Sequence, residues 1–255
     1  MVVDVTEMTV RQAAEQLGVD VSRVRALVGS GALAGRRVGS QWLVRQDAVE
    51  RRAELVGAGA TSRALSTRTA WAAAELLDGG AAAWLATSER ARLRARLAAR
   101  AADGWQTYAR WLSSRQLATS RYRIADRDVA GMLTADGVVA TGASAAAAHA
   151  LGLGSAGQAE VYVDAATERR LVEDWFLLRS DTGNLLVRTV DGDWHRRTGS
   201  VVDGRAVAAR LMVAVDLLDG DDARSRSAGR DLLVRLLDNH MVVRGTRAGS
   251  STRVG

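Results

Sequence analysis

Along the first fifty residues the apolar positions change period twice. Ala13, Ala14 and Leu17 share one helical face behind Thr9 and Gln12, a capping-box pair, and Gly18 stops the run. Val24, Leu27 and Val28 form a second stripe, with Asp20 placed to cap it and Gly29-Ser30-Gly31 to end it. Ser22, Arg23 and Arg25 are left facing outward. Leu33 to Val38 and Trp42 to Arg45 then read as two extended arms around Gly39-Ser40, and a further helix begins at Asp47. Two helices, a basic hairpin and a third helix are the expectation.

Small residues from Val56 to Ser66 interrupt this pattern and read as a linker. Helical spacing returns in three stretches: Ser66 to Leu77, Ser88 to about Ala101, and one built on Trp105, Tyr108, Ala109, Trp111 and Leu112. The aromatics of the third are read as core in preference to a base-stacking platform. From Arg121 the period shortens. Strands are expected at Arg121 to Ile124, Gly137 to Thr141, Glu160 to Val163 and Asn184 to Val190, and helices at Asp126 to Thr134, Ala143 to Leu151, Thr167 to Trp175, Arg205 to Leu218 and Asp222 to Leu237. The fold class is therefore α+β: a winged helix-turn-helix over residues 1–56, a linker over 57–66, a mixed α/β domain over 67–240 that is helical at both ends, and a disordered basic tail over 241–255.

Composition changes the picture in three places. All 35 cations are Arg, and with no Cys the 255 residues offer no disulfide, thiolate metal site or cysteine nucleophile. The zero count for Pro contradicts a bias that otherwise suggests a GC-rich genome. Residues 57–127 hold 12 Arg against 5 acids, whereas 128–240 hold 12 Arg against 17, so the net charge of +6 conceals a division into basic and acidic halves. No signal-like start and no long apolar run is present, so a soluble cytoplasmic protein without membrane contact is expected.

Helix, tight turn, helix and basic ribbon is the arrangement that sets one helix in a DNA major groove while the ribbon reaches adjacent backbone or minor groove. TVRQAAEQLGV, SRVRALVGSGAL and RRVGSQWLV, followed by Asp47, resemble the MerR-like and excisionase-type winged helix-turn-helix families. Val21 and Ala34 stand where those families often place proline. The resemblance implies Ser22, Arg23 and Arg25 on the recognition helix and Arg36, Arg37, Gln41 and Arg45 on the wing, all facing a double-stranded DNA operator. Arginine suits both places, pairing with guanine edges or bridging phosphates.

TGASAAAAHALGL, then EVYV, then LLRSDTGNLLVRTV resemble the C-terminal domain of AbiEi-type antitoxins. That resemblance implies an autorepressing antitoxin partnered with a nucleotidyltransferase toxin, with a homodimer on DNA. The alternatives are an excisionase-like factor of a phage or mobile element, and an enzyme recruited to DNA.

Nothing readable supplies catalysis, a cofactor or a metal. Gly152 to Gly157, GLGSAG, matches the dinucleotide fingerprint in letters, but a helix is expected before it and a strand after it, the reverse of what phosphate binding needs. His149, His195 and His240 are too scattered for a metal cluster. Asp191 and Asp193 beside Trp194 and His195 could make an acid-base site, yet acids in a turn after a strand are ordinarily solvated. No serine lies in a nucleophile elbow. The expectation is a binding protein, not an enzyme.

Overall fold

The computed structural model describes residues 6–29, 33–57, 64–99, 105–154 and 157–249. Its first unit comprises β1 (Glu7–Thr9), α1 (Val10–Leu17), α2 (Val21–Gly29), β2 (Gly35–Val38), β3 (Gln41–Arg45) and α3 (Gln46–Gly57). The Thr9 hydroxyl accepts from the Gln12 amide at 3.3 Å and Gln12 Oε1 accepts from the Thr9 amide at 2.8 Å, so the expected capping box opens α1. Gly18, at φ +63°, ends it in the left-handed conformation that lets the chain turn at once into α2. β3 lies between β1 and β2, antiparallel to both. Strand β1 has only three residues, too few for its alternation to show in the sequence. Ala13, Leu17, Val24, Leu27, Val44 and Val49 close the core of this unit.

The second unit begins with α4 (Thr67–Leu77), α5 (Thr87–Ala99) and α6 (Trp105–Trp111), followed by β4 (Ala118–Arg123), a 3-10 turn at Asp126–Asp128 and α7 (Val129–Met132). Next come β5 (Val139–Ala140), β6 (Ala159–Asp164), α8 (Ala165–Asp174), β7 (Leu178–Arg179), β8 (Leu185–Val190) and α9 (Trp194–Arg197). The chain ends with β9 (Ser200–Val202), β10 (Arg205–Val207), α10 (Arg210–Leu218) and α11 (Ala223–Gly249). Seven strands form one mixed sheet in the order β7-β4-β8-β6-β5-β10-β9, parallel only at β6–β8 and β5–β10.

Both faces of the sheet are covered. In β6, Val161 and Val163 point toward α7 and α8, where Ile124, Met132 and Leu171 meet them, while Tyr162 points the other way. There it joins the helical layer of α4, α5, α6, α10 and α11, meeting Trp71 edge to face at 5.1 Å. Ala70, Ala72, Ala73 and Ala74 of α4 are all buried beside Trp71, Leu76 and Leu77 in this layer. Ser66 caps α4 as expected, its hydroxyl accepting from the Thr69 amide. Tyr108 and Trp111 are buried and Trp105 partly so, the core role anticipated for them. Among the described residues no helix is long and apolar enough to cross a membrane.

Several expectations are corrected. Ala143 to Leu151 is not an α-helix but two 3-10 turns, Gly142–Ala145 and Ala147–His149. Alanine propensity loses here to tertiary ties: the Thr141 amide donates to the Glu160 carbonyl, the Glu160 amide donates to the Ser144 hydroxyl, and Ala150 turns left-handed at φ +52°. Arg205 to Val207 is a strand, and the helix expected from Arg205 starts at Arg210. Residues 241–249, expected as part of a disordered tail, continue α11, since the apolar spacing of Leu233, Leu236, Leu237 and Met241 runs on with no proline to stop it. Of the expected linker, residues 58–63 lie outside the described residues; Leu65 at its end is buried and its amide donates to the Trp111 carbonyl at 3.0 Å.

Candidate nucleic-acid interface

Helix α2 owes its orientation to Val24, Leu27 and Val28, which are buried against α1 and the sheet. Backbone amides of Arg23 and Val24 donate to the Asp20 carbonyl, fixing the first turn. That geometry leaves Ser22, Arg23 and Arg25 together on the open side, all exposed. Neither arginine has an ion-pair partner among the described residues.

The wing arginines differ in how far they are committed. Arg36 donates through Nε and Nη2 to Glu7 at 2.7 and 2.9 Å, and these bonds hold the Glu7 carboxyl below the usual carboxylate range. Arg37 makes a bond of 3.1 Å to the Gly39 carbonyl, which leaves most of its guanidinium outward. Gln41 is exposed where β3 leaves the turn. Arg45 is different: it is partly buried and paired with both Asp47 and Asp221. Ser22, Arg23, Arg25 and Gln41 are thus exposed, Arg37 is held by one bond to the turn, and Arg36 and Arg45 are set into ion pairs.

One further cation escaped the sequence reading. Arg52 of α3 is partly buried and without an ion-pair partner among the described residues; burial and the charges of Arg23 and Arg110 together lower its affinity for its own proton.

The second unit holds a buried polar cluster that sequence did not announce. Arg115 Nη2 is 2.7 Å from Asp216 Oδ1 and also pairs with Asp219; Arg115 Nε donates to the Tyr162 hydroxyl at 3.0 Å, and that hydroxyl donates to Asp216 at 2.9 Å. Thr141 donates to the other Asp216 oxygen, and Arg188 Nε lies 3.4 Å from Asp216 Oδ1. Burial, and then Asp216, push the Tyr162 phenol well above its ordinary value, so it keeps its proton. Burial also pushes the Glu160 carboxyl up, against the pull of Arg188. Two guanidinium groups face two aspartates, so the cluster is close to neutral, and Arg188 also reaches Gln116 while its Nε makes no hydrogen bond. The cluster ties the end of α6, β6, β8 and α10 together.

Elsewhere in this unit the candidate groups stay apart. His195 is fully enclosed with neither ring nitrogen in a hydrogen bond of good geometry, and burial, then Arg196, lower its pKa to about 4. Asp193 is paired with Arg197 at 2.7 Å. Among the described residues no group of three or more His, Asp or Glu is placed to hold a metal ion. The GLGSAG segment runs from a 3-10 turn into β6, the inverted order expected of it, and its Ser155 and Ala156 lie outside the described residues.

Residues 7–54 match the sequence profile of a helix-turn-helix domain family. No curated protein and no solved structure matches the chain.

Proposed function

We propose that the chain is a cytoplasmic DNA-binding transcription regulator that reads an operator with α2 and steadies itself on neighbouring phosphates with the wing. The observation that carries this is the joint exposure of Ser22, Arg23 and Arg25 on a helix whose opposite side is fixed by Val24, Leu27 and Val28. Selection of duplexes from a random pool by the full chain tests it. Enrichment of one sequence, with preference relaxed at one base pair by Arg23→Ala, is the expected result; no enrichment over a pool bound by bare charge overturns it.

The finer reading is an antitoxin and autorepressor acting with a nucleotidyltransferase toxin, bound to its operator as a homodimer. Its support is that the stretches resembling AbiEi antitoxins fall on neighbouring strands: one links β5 to β6, one is β6 itself, and the third runs through β7 to β8, which pairs with β6. Expressing the adjacent nucleotidyltransferase from an unrelated promoter, with this chain supplied separately, removes repression from the comparison. Relief of growth arrest supports direct antitoxicity. Continued arrest with both proteins folded leaves a regulator alone.

A further inference from the structure

Arg45 reaches two carboxylates at once. Its Nε and Nη2 donate to Asp47 at 3.0 and 2.7 Å, while Nη1 lies 2.8 Å from Asp221, in the second unit. Arg51, one turn beyond Asp47, is 2.9 Å from Asp47 and 3.7 Å from Asp221. Two arginines and two aspartates therefore close a ring where β3 hands over to α3, at the base of the wing. The ring is only partly open to solvent, so screening weakens it less than it would a surface pair.

Asp221 projects from a loop that is fastened on every side. Two residues before it, Asp219 turns inward to Arg115 in the buried cluster. One residue after it, the Asp222 carboxylate accepts the Ser225 amide at 2.8 Å and starts α11. Arg226 Nη1 donates to the carbonyls of Gly220 and Asp221 at 3.2 and 2.9 Å. Gly220 sits so close to the Leu217 carbonyl, 2.9 Å from where a Cβ would be, that a larger residue would displace the turn. These bonds hold the turn, from which the Asp221 carboxylate reaches the first unit.

No apolar cluster of described residues crosses between the two units: one holds residues from Met8 to Ala53, the others residues from Leu65 onward. Where α3 nears α6, Arg52 and Arg110 face each other as like charges. Opposite charges meet there in the ring, and Asp219 adds its attraction for Arg51 and Arg52.

We infer that Asp221 is a positioning residue for DNA recognition: through Arg45 and Arg51 it sets the angle at which the second unit presents α2 and the wing. The inference rests on the DNA-binding reading above. A carboxylate near a DNA-binding face has a second, simpler effect, which is to repel phosphate, and the two effects have opposite sign on removal.

The test uses the full chain. Because the protein has no cysteine, Glu15→Cys and Val201→Cys, both exposed and one in each unit, accept a unique pair of spin labels. The wild-type chain should give one narrow distance distribution, and Asp221→Asn a broad one, with circular dichroism unchanged. On a duplex selected by the wild-type chain, Asp221→Asn should weaken binding by about threefold or more, and Asp221→Glu should restore it. Loss of repulsion alone predicts tighter binding by Asp221→Asn. A narrow distribution that survives Asp221→Asn, or tighter binding, overturns the inference. If no duplex is bound at all, the DNA reading fails, and a broadened distribution still shows the ring holding the two units.

Discussion

Glu7 and Arg36 reach across β3 to close a two-pronged ion pair, so the strand that enters the helix-turn-helix is tied to the outer strand of its wing. The pair removes Arg36 from the groups ready to meet phosphate and leaves Arg37 as the wing's more available cation. Glu7→Gln should therefore strengthen binding to every duplex, by freeing Arg36 and deleting a negative charge. Arg37→Ala should weaken binding to all sequences alike and reduce the slope of log affinity against log salt by about one. Titrations by fluorescence anisotropy at several salt concentrations decide both.

Arg23→Ala should behave otherwise. If its guanidinium meets a base edge, its loss costs about 1 to 3 kcal/mol on the selected duplex and relaxes preference at one base pair, with little effect on random DNA. Equal losses on both duplexes would reassign Arg23 to phosphate contact.

Asp216 is the hub of the buried cluster, and Asp216→Asn leaves Arg115 and Arg188 sharing Asp219, one negative charge short. Removing one partner from a buried ion pair typically destabilises by about 3 to 5 kcal/mol. Urea unfolding of the full chain should show that loss; a shift of the midpoint too small to resolve would mean that the arginines find solvent.

His195 gives the second unit a dependence on pH. The folded imidazole releases its proton at about 4 and an unfolded one at 6.5, so between these values the unfolded chain binds more protons. The contribution is complete above pH 6.5 and lost as pH falls toward 4, amounting to roughly 3 kcal/mol in all. Stability measured from pH 8 to 4 should fall less steeply in His195→Gln than in the wild type, whatever the variant's stability at pH 8.

A fragment of residues 64–249 should unfold cooperatively by itself, because its apolar clusters recruit no described residue from the helix-turn-helix. Differential scanning calorimetry gives the answer: a single transition close to one seen in the full chain is expected, and a broad or absent one places the boundary elsewhere.

Elements announced by local chemistry were legible in the sequence. Thr9 with Gln12, Gly18 as a left-handed stop and Ser66 as a cap each act within four residues of themselves, and each stands where the spacing put it. Strands β1, β7, β9 and β10 were missed because two or three residues display no alternation. The alanine run after Thr141 misled because propensity carries no knowledge of Glu160 on the next strand. At the interface, Ser22, Arg23 and Arg25 followed from the apolar stripe behind them, whereas the capture of Arg45 by Asp221 joins residues far apart in the chain and left no local trace.

The helical layer of the second unit is assembled from both of its ends: α4 to α6 from its start, α10 and α11 from its finish, with the sheet strands between. During synthesis on the ribosome the two units therefore mature at different moments. The buried core of the helix-turn-helix, among the described residues, is in place by Val49 and can close soon after it emerges. Trp71, Tyr108 and Trp111 must wait for Leu211, Leu233 and Leu236, so a nascent chain passes through an interval in which the DNA-reading unit is formed and the body that carries it is not.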